Sequence, residues 1–226
     1  MISIIIPTLN AAPLLPRALA ALVAGAAHGL VKQVIVADGG STDETLAIAQ
    51  AAGCDIMRGP SGRAKQMRAG AATAKASWLL FLHADTELSP GWVAEAERFV
   101  SAPQTRMQAA AFTLAFDDHT RQARRVVFWA RLRARVLKLP YGDQGLLLSR
   151  SFYDQLGGYG DLPLMEDVDL VRRIGAKRLI LLETEAVTSA EKYRRDGYDK
   201  RAWCNLVLTA RYFMGADPAE LAKGYD

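Results

Sequence analysis

Five large apolar residues in succession, Trp78-Leu79-Leu80-Phe81-Leu82, are followed at once by His83-Ala84-Asp85. A run without polar alternation belongs to a strand buried on both faces, as in a parallel sheet under helices. Ligands of open α/β sheets bind beyond the carboxyl ends of the strands. A carboxylate there suits a divalent cation held against a phosphate; it equally suits a cap on the following turn. A second strand ends in the same way, at Val34-Ile35-Val36-Ala37-Asp38.

The rest of the first half supplies the frame for those two ends. Ile2 to Ile6 is a β-branched strand closed by Pro7-Thr8-Leu9-Asn10, and a helix is expected from about Pro13 to Gly25. Gln33 to Ala37 is the second strand. The turn Asp38 to Glu44 leads into a helix, with Ser41 or Thr42 as its cap. A short strand over Cys54 to Met57 and a basic helix from Arg63 to Lys75 precede the central strand. Strands alternating with helices predict a doubly wound α/β fold with a mostly parallel sheet.

Neither the dinucleotide-binding G-x-G-x-x-G nor the P-loop follows the first strand. Phosphates would then be held by a metal on Asp85 and by Arg63, Lys65 or Arg68, with Asp38 free to accept from a base or ribose. Each of those basic residues is also explained as part of a solvated helix face.

The second half is less regular. Met107 to Phe116 predicts a strand or strand pair. Residues 121–139 predict a helix with Arg124, Arg131, Arg135 and Lys138 on one face and Phe128, Trp129, Leu132 and Val136 on an adjoining arc. Its basic face is either solvated or a surface for an anionic acceptor or lipid headgroups. Leu146 to Leu148 is a strand, and Glu166-Asp167-Val168-Asp169 crowds carboxylates into the first turn of a helix. Such crowding raises a pKa and suits a general base, Glu166 and Asp169 sharing a face. The stripe Trp203, Leu206, Val207, Ala210, Phe213 and Met214 predicts a last long helix turned to the core.

Bulk properties narrow the class. The 226 residues suit one domain, and the net charge of +4 is too mild to indicate nucleic acid. Two distant cysteines, Cys54 and Cys204, argue against a disulfide framework or a zinc site and fit a reducing cytoplasm. The opening segment lacks a basic region and breaks at Pro7, unlike a signal peptide, and no apolar run approaches the roughly 20 residues of a membrane span. The expectation is a cytoplasmic protein, touching the inner face of the membrane at most peripherally.

Taken together, Ile4 to Asn10, Val36 to Asp43, Phe81 to Asp85 and Met165-Glu166-Asp167 resemble the ordered motifs of the family 2 glycosyltransferases with the GT-A fold. Gly62 to Met67, Leu80 to Thr86, Gly142-Asp143-Gln144 and Leu164 to Asp169 are most similar to a bacterial subgroup associated with radical-SAM and selenodomain proteins. The resemblance implies one GT-A domain, with residues 1–87 as the nucleotide-binding half and 88–226 as the acceptor-binding half. It implies nucleotide contacts from Pro7, Thr8, Asn10, Asp38, Gly39, Arg63 and Lys65, and Mn²⁺ or Mg²⁺ on Asp85 and His83. Asp167, with Glu166 beside it, would serve as catalytic base, and Gly142, Asp143 and Gln144 would line the acceptor side. The implied partners are a nucleotide-sugar donor, UDP-linked or other, and a small-molecule or lipid-linked acceptor; a homodimer is also admitted. The implied reaction is inverting transfer of the sugar to a hydroxyl. A nucleotidyltransferase, or a non-catalytic domain that binds a nucleotide or partner, is the alternative.

Four departures from the family pattern bear on these roles. His83 replaces the first acid of D-x-D and binds a metal only as a neutral imidazole. Ala11 follows the opening Asn where an acid is common, and Arg68 stands in place of an Asn. Ser189 to Tyr193 replaces a more basic run, which weakens the expectation of a diphosphate contact from that loop.

Overall fold

The computed structural model describes residues 1–223. Its opening half alternates as the sequence predicts: β1 (Ile2–Thr8), α1 (Leu15–Ala27), β2 (Val31–Asp38), α2 (Thr45–Ala51), β3 (Asp55–Arg58), α3 (Arg63–Thr73) and β4 (Trp78–Phe81). Then come β5 (Thr86–Leu88), α4 (Trp92–Ser101), β6 (Ala109–Phe116), α5 (Arg121–Val136), β7 (Leu146–Ser149), α6 (Arg150–Gln155) and α7 (Glu166–Ile174). The chain finishes with β8 (Leu179–Thr188), α8 (Glu191–Asp196), α9 (Tyr198–Phe213) and α10 (Pro218–Ala222).

All eight strands join one sheet in the order β3-β2-β1-β4-β7-β6-β8-β5. The first four are parallel, while β7 runs antiparallel to both β4 and β6, and β5 antiparallel to β8. The sheet is therefore mixed: its first four strands are the parallel half that the alternating pattern foretold, and β6 and β8 form a further parallel pair. Ile2, Ile4 and Ile6 point into one core layer with Leu15, Leu22 and Trp92, whereas Ile5 points into the other with Met67, Phe152 and Val168. Burial on both faces is why β1 is mostly apolar; the buried Ser3 hydroxyl is satisfied by Gln33.

The helices of the second half expose more apolar surface than their patterns suggest, and one expectation is overturned. α5 packs through a narrow stripe of small residues, Ala123, Val126, Ala130 and Ala134, so Phe128, Trp129, Leu132 and Val136 stay exposed. In α9 the predicted core stripe faces outward: Trp203, Leu206, Phe213 and the following Met214 are exposed, and Arg201, Leu208 and Thr209 are buried instead. Apolar periodicity marks a face, and here the inward face of α9 is the one carrying polar groups. Ahead of α2, neither Ser41 nor Thr42 serves as cap. Asp43 accepts from the Thr45 N–H at 3.0 Å, while Ser41 and Thr42 turn to Asp38 and Asn10. Among the described residues no helix is long and apolar enough to cross a membrane.

Candidate active site

The strand order reverses direction of growth between β1 and β4, and the carboxyl ends of these strands open the crevice where such sheets bind ligands. Thr8 and Asp38 stand opposite each other in the β1–β2 register. The Asp38 carboxylate accepts from the Thr8 hydroxyl at 3.0 Å, the Ser41 hydroxyl at 2.5 Å, and the Gly40 and Ser41 N–H groups at 2.9 Å each. Burial pushes its pKa up, but the bonds from Ser41, Gly40 and Thr8 outweigh burial and hold the carboxyl below its usual value. Those four donors occupy the lone pairs of a carboxylate. Asp38 therefore reaches no base or ribose in this arrangement without losing a partner.

Asn10, at φ 51°, accepts from the Thr42 N–H at 2.9 Å and donates its own N–H to the Ser41 hydroxyl at 2.8 Å. Pro7, Thr8, Asn10, Asp38 and Gly39 thus form one laced shelf at the ends of β1 and β2. Gln66 braces it from α3, donating through Nε2 to the carbonyls of Thr8 and Ala37 at 2.7 Å each. An amide inside an otherwise basic helix was the available signal for this role.

A second group forms a cleft of about 120 Å³ lined by Arg63, His83, Asp85, Tyr141, Gly142, Asp143, Glu166, Asp167 and Lys192 among others. Arg63 turns into it and pairs with Glu166 at 3.3 Å, whereas Lys65 and Arg68, from the same helix, are exposed. The Gly142 N–H donates to Asp167 Oδ2 at 2.6 Å, and a Cβ on Gly142 would stand 2.7 Å from His83 Nε2. Only glycine lets this loop lie against the imidazole. Met165, just before α7, adopts φ 65°, a left-handed conformation that is costly for a residue with a side chain and common at functional sites.

Burial, followed by the charge of Asp167, raises the Glu166 pKa to about 7 against the pull of Arg63. Asp169 does not join this pair; it binds Arg173 one turn on, at 2.5 Å. Asp143 is raised to about 6, by burial first and then by Asp167 and Asp85, with Arg133 opposing; its shielded Oδ1 has no hydrogen-bond partner among the described residues. Gln144 lies beneath the cleft, 1% exposed, and donates to the Phe112 carbonyl at 2.8 Å. It does not line the cleft.

The far wall was not legible as a site. The Asp85 loop is tied to the end of β8, where the Ser189 N–H donates to the Asp85 carbonyl at 3.1 Å and the Thr86 and Thr188 hydroxyls meet at 2.6 Å. From there α8 brings Lys192 into the cleft, so the loop that lacks the family's arginine still delivers a cation. Burial and Arg63 lower the Lys192 pKa while Asp85 raises it. Arg201, Asn205 and Thr209, one turn apart on α9, complete the wall.

Burial, then Arg63, pulls the His83 pKa to about 3 against Asp167, which leaves a neutral imidazole with a lone pair near neutral pH. Among the described residues no cluster of three His, Cys, Asp or Glu side chains could cage a metal. A loop carboxylate beside a neutral imidazole is a small protein donor set, which fits a hard cation whose remaining ligands are phosphates and water, as for Mg²⁺ or Mn²⁺.

An α/β sheet with a carboxylate after β4 and paired acids at the start of α7, lining one cleft with Arg63, Lys192 and Arg201, matches what the GT-A resemblance implies, and solved glycosyltransferases share this fold. A family model described as glycosyl transferase family 2 matches residues 3–152, and the chain belongs to that family. Curated relatives from Mycobacterium bovis and Mycobacterium tuberculosis, each a "PGL/p-HBAD biosynthesis glycosyltransferase", are 38% identical over 95 residues. That match covers 39% of this chain and only 36% of the relatives' length. Among solved structures, glucosyl-3-phosphoglycerate synthase from M. tuberculosis with Mn²⁺ and UDP-glucose superposes with a TM-score of 0.64 at 18% identity, covering 92% of this chain and 78% of that one. A mannosyltransferase from Pyrobaculum calidifontis with GDP-mannose and Mn²⁺ gives 0.67 at 20% identity, covering 90% and 59%. At such identities the likeness is one of fold.

Proposed function

We propose that the cleft moves a sugar from a nucleotide-diphosphate-sugar to an acceptor hydroxyl with inversion. One observation carries this reading: Asp85 and Asp167, from different halves of the sequence, line one cleft together with Arg63, Lys192 and Arg201. Carboxylates and cations lining one cleft are the groups that a displacement with an anionic leaving group requires.

Asp167 takes the proton of the acceptor hydroxyl. The freed oxygen attacks the anomeric carbon in line, the bond from that carbon to the diphosphate oxygen breaks, and its electron pair leaves with the nucleoside diphosphate. A single displacement of this kind inverts the configuration. Arg63 and Lys192 offset the charge that grows on the diphosphate. Glu166 holds Arg63 in place, and Asp38 with Gln66 supports the nucleotide shelf. Mn²⁺ or Mg²⁺, held by Asp85 with His83 as the loop's second donor, supplies further charge neutralisation when bound. Both solved relatives named above contain Mn²⁺ and a nucleotide-sugar, which supports this donor class.

In the same reading residues 1–87 hold the nucleotide, with Lys192 added from α8 at its diphosphate, and 88–226 otherwise hold the acceptor, in a cytoplasmic protein. Gly62 to Met67 and Leu164 to Asp169 favour the radical-SAM and selenodomain-associated subgroup. Calorimetry with UDP, GDP, ADP, CDP and dTDP, with and without Mn²⁺, tests the donor site. One diphosphate should bind in a metal-dependent way, and Asp85→Ala should abolish that binding. If no nucleotide binds under any condition, the proposal fails.

A further inference from the structure

A groove of about 910 Å³ runs between α5 and α9 beside the cleft. Its walls are the large apolar residues that the packing of the two helices leaves outside: Trp129, Leu132 and Val136 from α5, and Trp203, Leu206 and Phe213 from α9. Trp129 is 61% exposed and Trp203 67%, so large apolar side chains from both helices face the groove. An ion pair between Arg125 and Asp199 ties the two helices together along it.

The groove is not separate from the chemistry. Tyr141, Tyr193, Asn205 and Thr209 line both it and the cleft that holds Asp167. The shared wall is polar and internally bonded: Tyr141 meets the Thr209 hydroxyl at 2.6 Å, and Asn205 donates to the Tyr193 hydroxyl at 3.1 Å. Arg133 lies over the Tyr141 ring, 3.4 Å from its centroid. A polar junction thus separates an acid-lined chamber from a hydrocarbon-lined one. The volume is within the usual range of small-molecule sites, and the surface is concave, which suits a chain lying in it better than a flat sheet of lipid.

Resting on the transferase reading, we infer that the acceptor is an amphiphile whose hydroxyl-bearing head reaches Asp167 while its hydrocarbon chain occupies the α5–α9 groove. The observation behind this is the continuity of an exposed apolar groove with the cleft through one shared polar wall. The inward polar stripe of α9 would face the head and its outward apolar stripe the tail.

The test uses n-octyl, n-decyl and n-dodecyl β-glucosides below their micelle concentrations, followed by tryptophan fluorescence. Trp78 and Trp92 are buried, so the change reports on Trp129 and Trp203. Affinity should rise about threefold to fourfold per added methylene. Leu206→Glu and Trp203→Glu, both at exposed positions, should remove that dependence while metal-dependent nucleotide binding by calorimetry stays at the wild-type value. Binding independent of chain length would overturn the inference. So would sedimentation showing a dimer that Leu206→Glu dissociates, or association with anionic vesicles without binding of monomeric glucosides. Loss of nucleotide binding in the wild type would instead sink the transferase reading, and the glucoside series would still report on the groove by itself.

Discussion

The backbone N–H of Gly142 donates to the Asp167 carboxylate at 2.6 Å, joining the loop before β7 to the first turn of α7. This bond fixes one oxygen of Asp167, while Oδ1 accepts the Val168 N–H at 2.7 Å. The orientation of the proposed base is therefore set by two backbone N–H groups, one on each carboxylate oxygen.

Asp167→Asn keeps the shape but cannot take up a proton, and its single amide oxygen can keep only one of the two backbone bonds that the carboxylate accepts, from Gly142 or from Val168. With the nucleotide-sugar identified by calorimetry, kcat should fall by about 10²–10⁴-fold, the usual contribution of a positioned base. The donor dissociation constant should change little. An unaltered kcat would remove Asp167 from the reaction.

Lys192→Met preserves the aliphatic stem and deletes the charge that faces Asp85 and the cleft. A charged hydrogen bond contributes about 1.5–3 kcal/mol, so nucleoside diphosphate affinity should drop roughly tenfold to a hundredfold. The nucleoside alone should bind the variant and the wild type equally. Equal diphosphate affinity in both would show that the α8 cation is not a phosphate contact.

Gly142→Ala places a methyl group 2.7 Å from His83 Nε2. Relief requires the loop or the imidazole to move, at a cost of about 1–3 kcal/mol. The melting temperature should fall by roughly 2–10 °C, and activity should fall with it because the Asp167 anchor shifts. A variant with unchanged melting and turnover would refute the tight approach.

Asp143 has a folded pKa of about 6 against an ordinary 3.8. Between those values the folded protein keeps a proton that the unfolded chain has released, so stability falls as pH rises through this window and the penalty is complete above it. Asp143→Asn carries no such charge. Its melting temperature relative to wild type should climb from pH 4 to pH 7 and then level off, by a few degrees for each ~1 kcal/mol recovered. A difference that stays flat with pH would contradict the shift.

The parallel half of the fold was readable because β1, β2 and β4 are buried on both faces and end abruptly in polar residues. Asp85, Glu166 and Asp167 were readable for the same reason, as acids at strand and helix ends. β5 and β8 were not, since β8 mixes Glu183, Thr184 and Glu185 among apolar residues and β5 spans only Thr86 to Leu88. Lys192 and Arg201 look like any solvated cation until α8 and α9 fold back over the Asp85 loop. The outward stripe of α9 was read as a packing face because periodicity tells that a face is apolar and not what covers it. Asp38 was expected to be open to a base, and its saturation by four local donors depends on a turn geometry that spacing alone does not reveal.

The helix α9 separates two selective pressures on one element. Arg201, Asn205 and Thr209 answer to the chemistry, whereas Trp203, Leu206 and Phe213, a few positions away on the same helix, touch none of the proposed reacting groups. Residues on the outer stripe can drift with little risk to the catalytic wall. A lineage carrying this scaffold can thus broaden or retarget what it modifies by surface substitutions alone, without rebuilding its reactive centre.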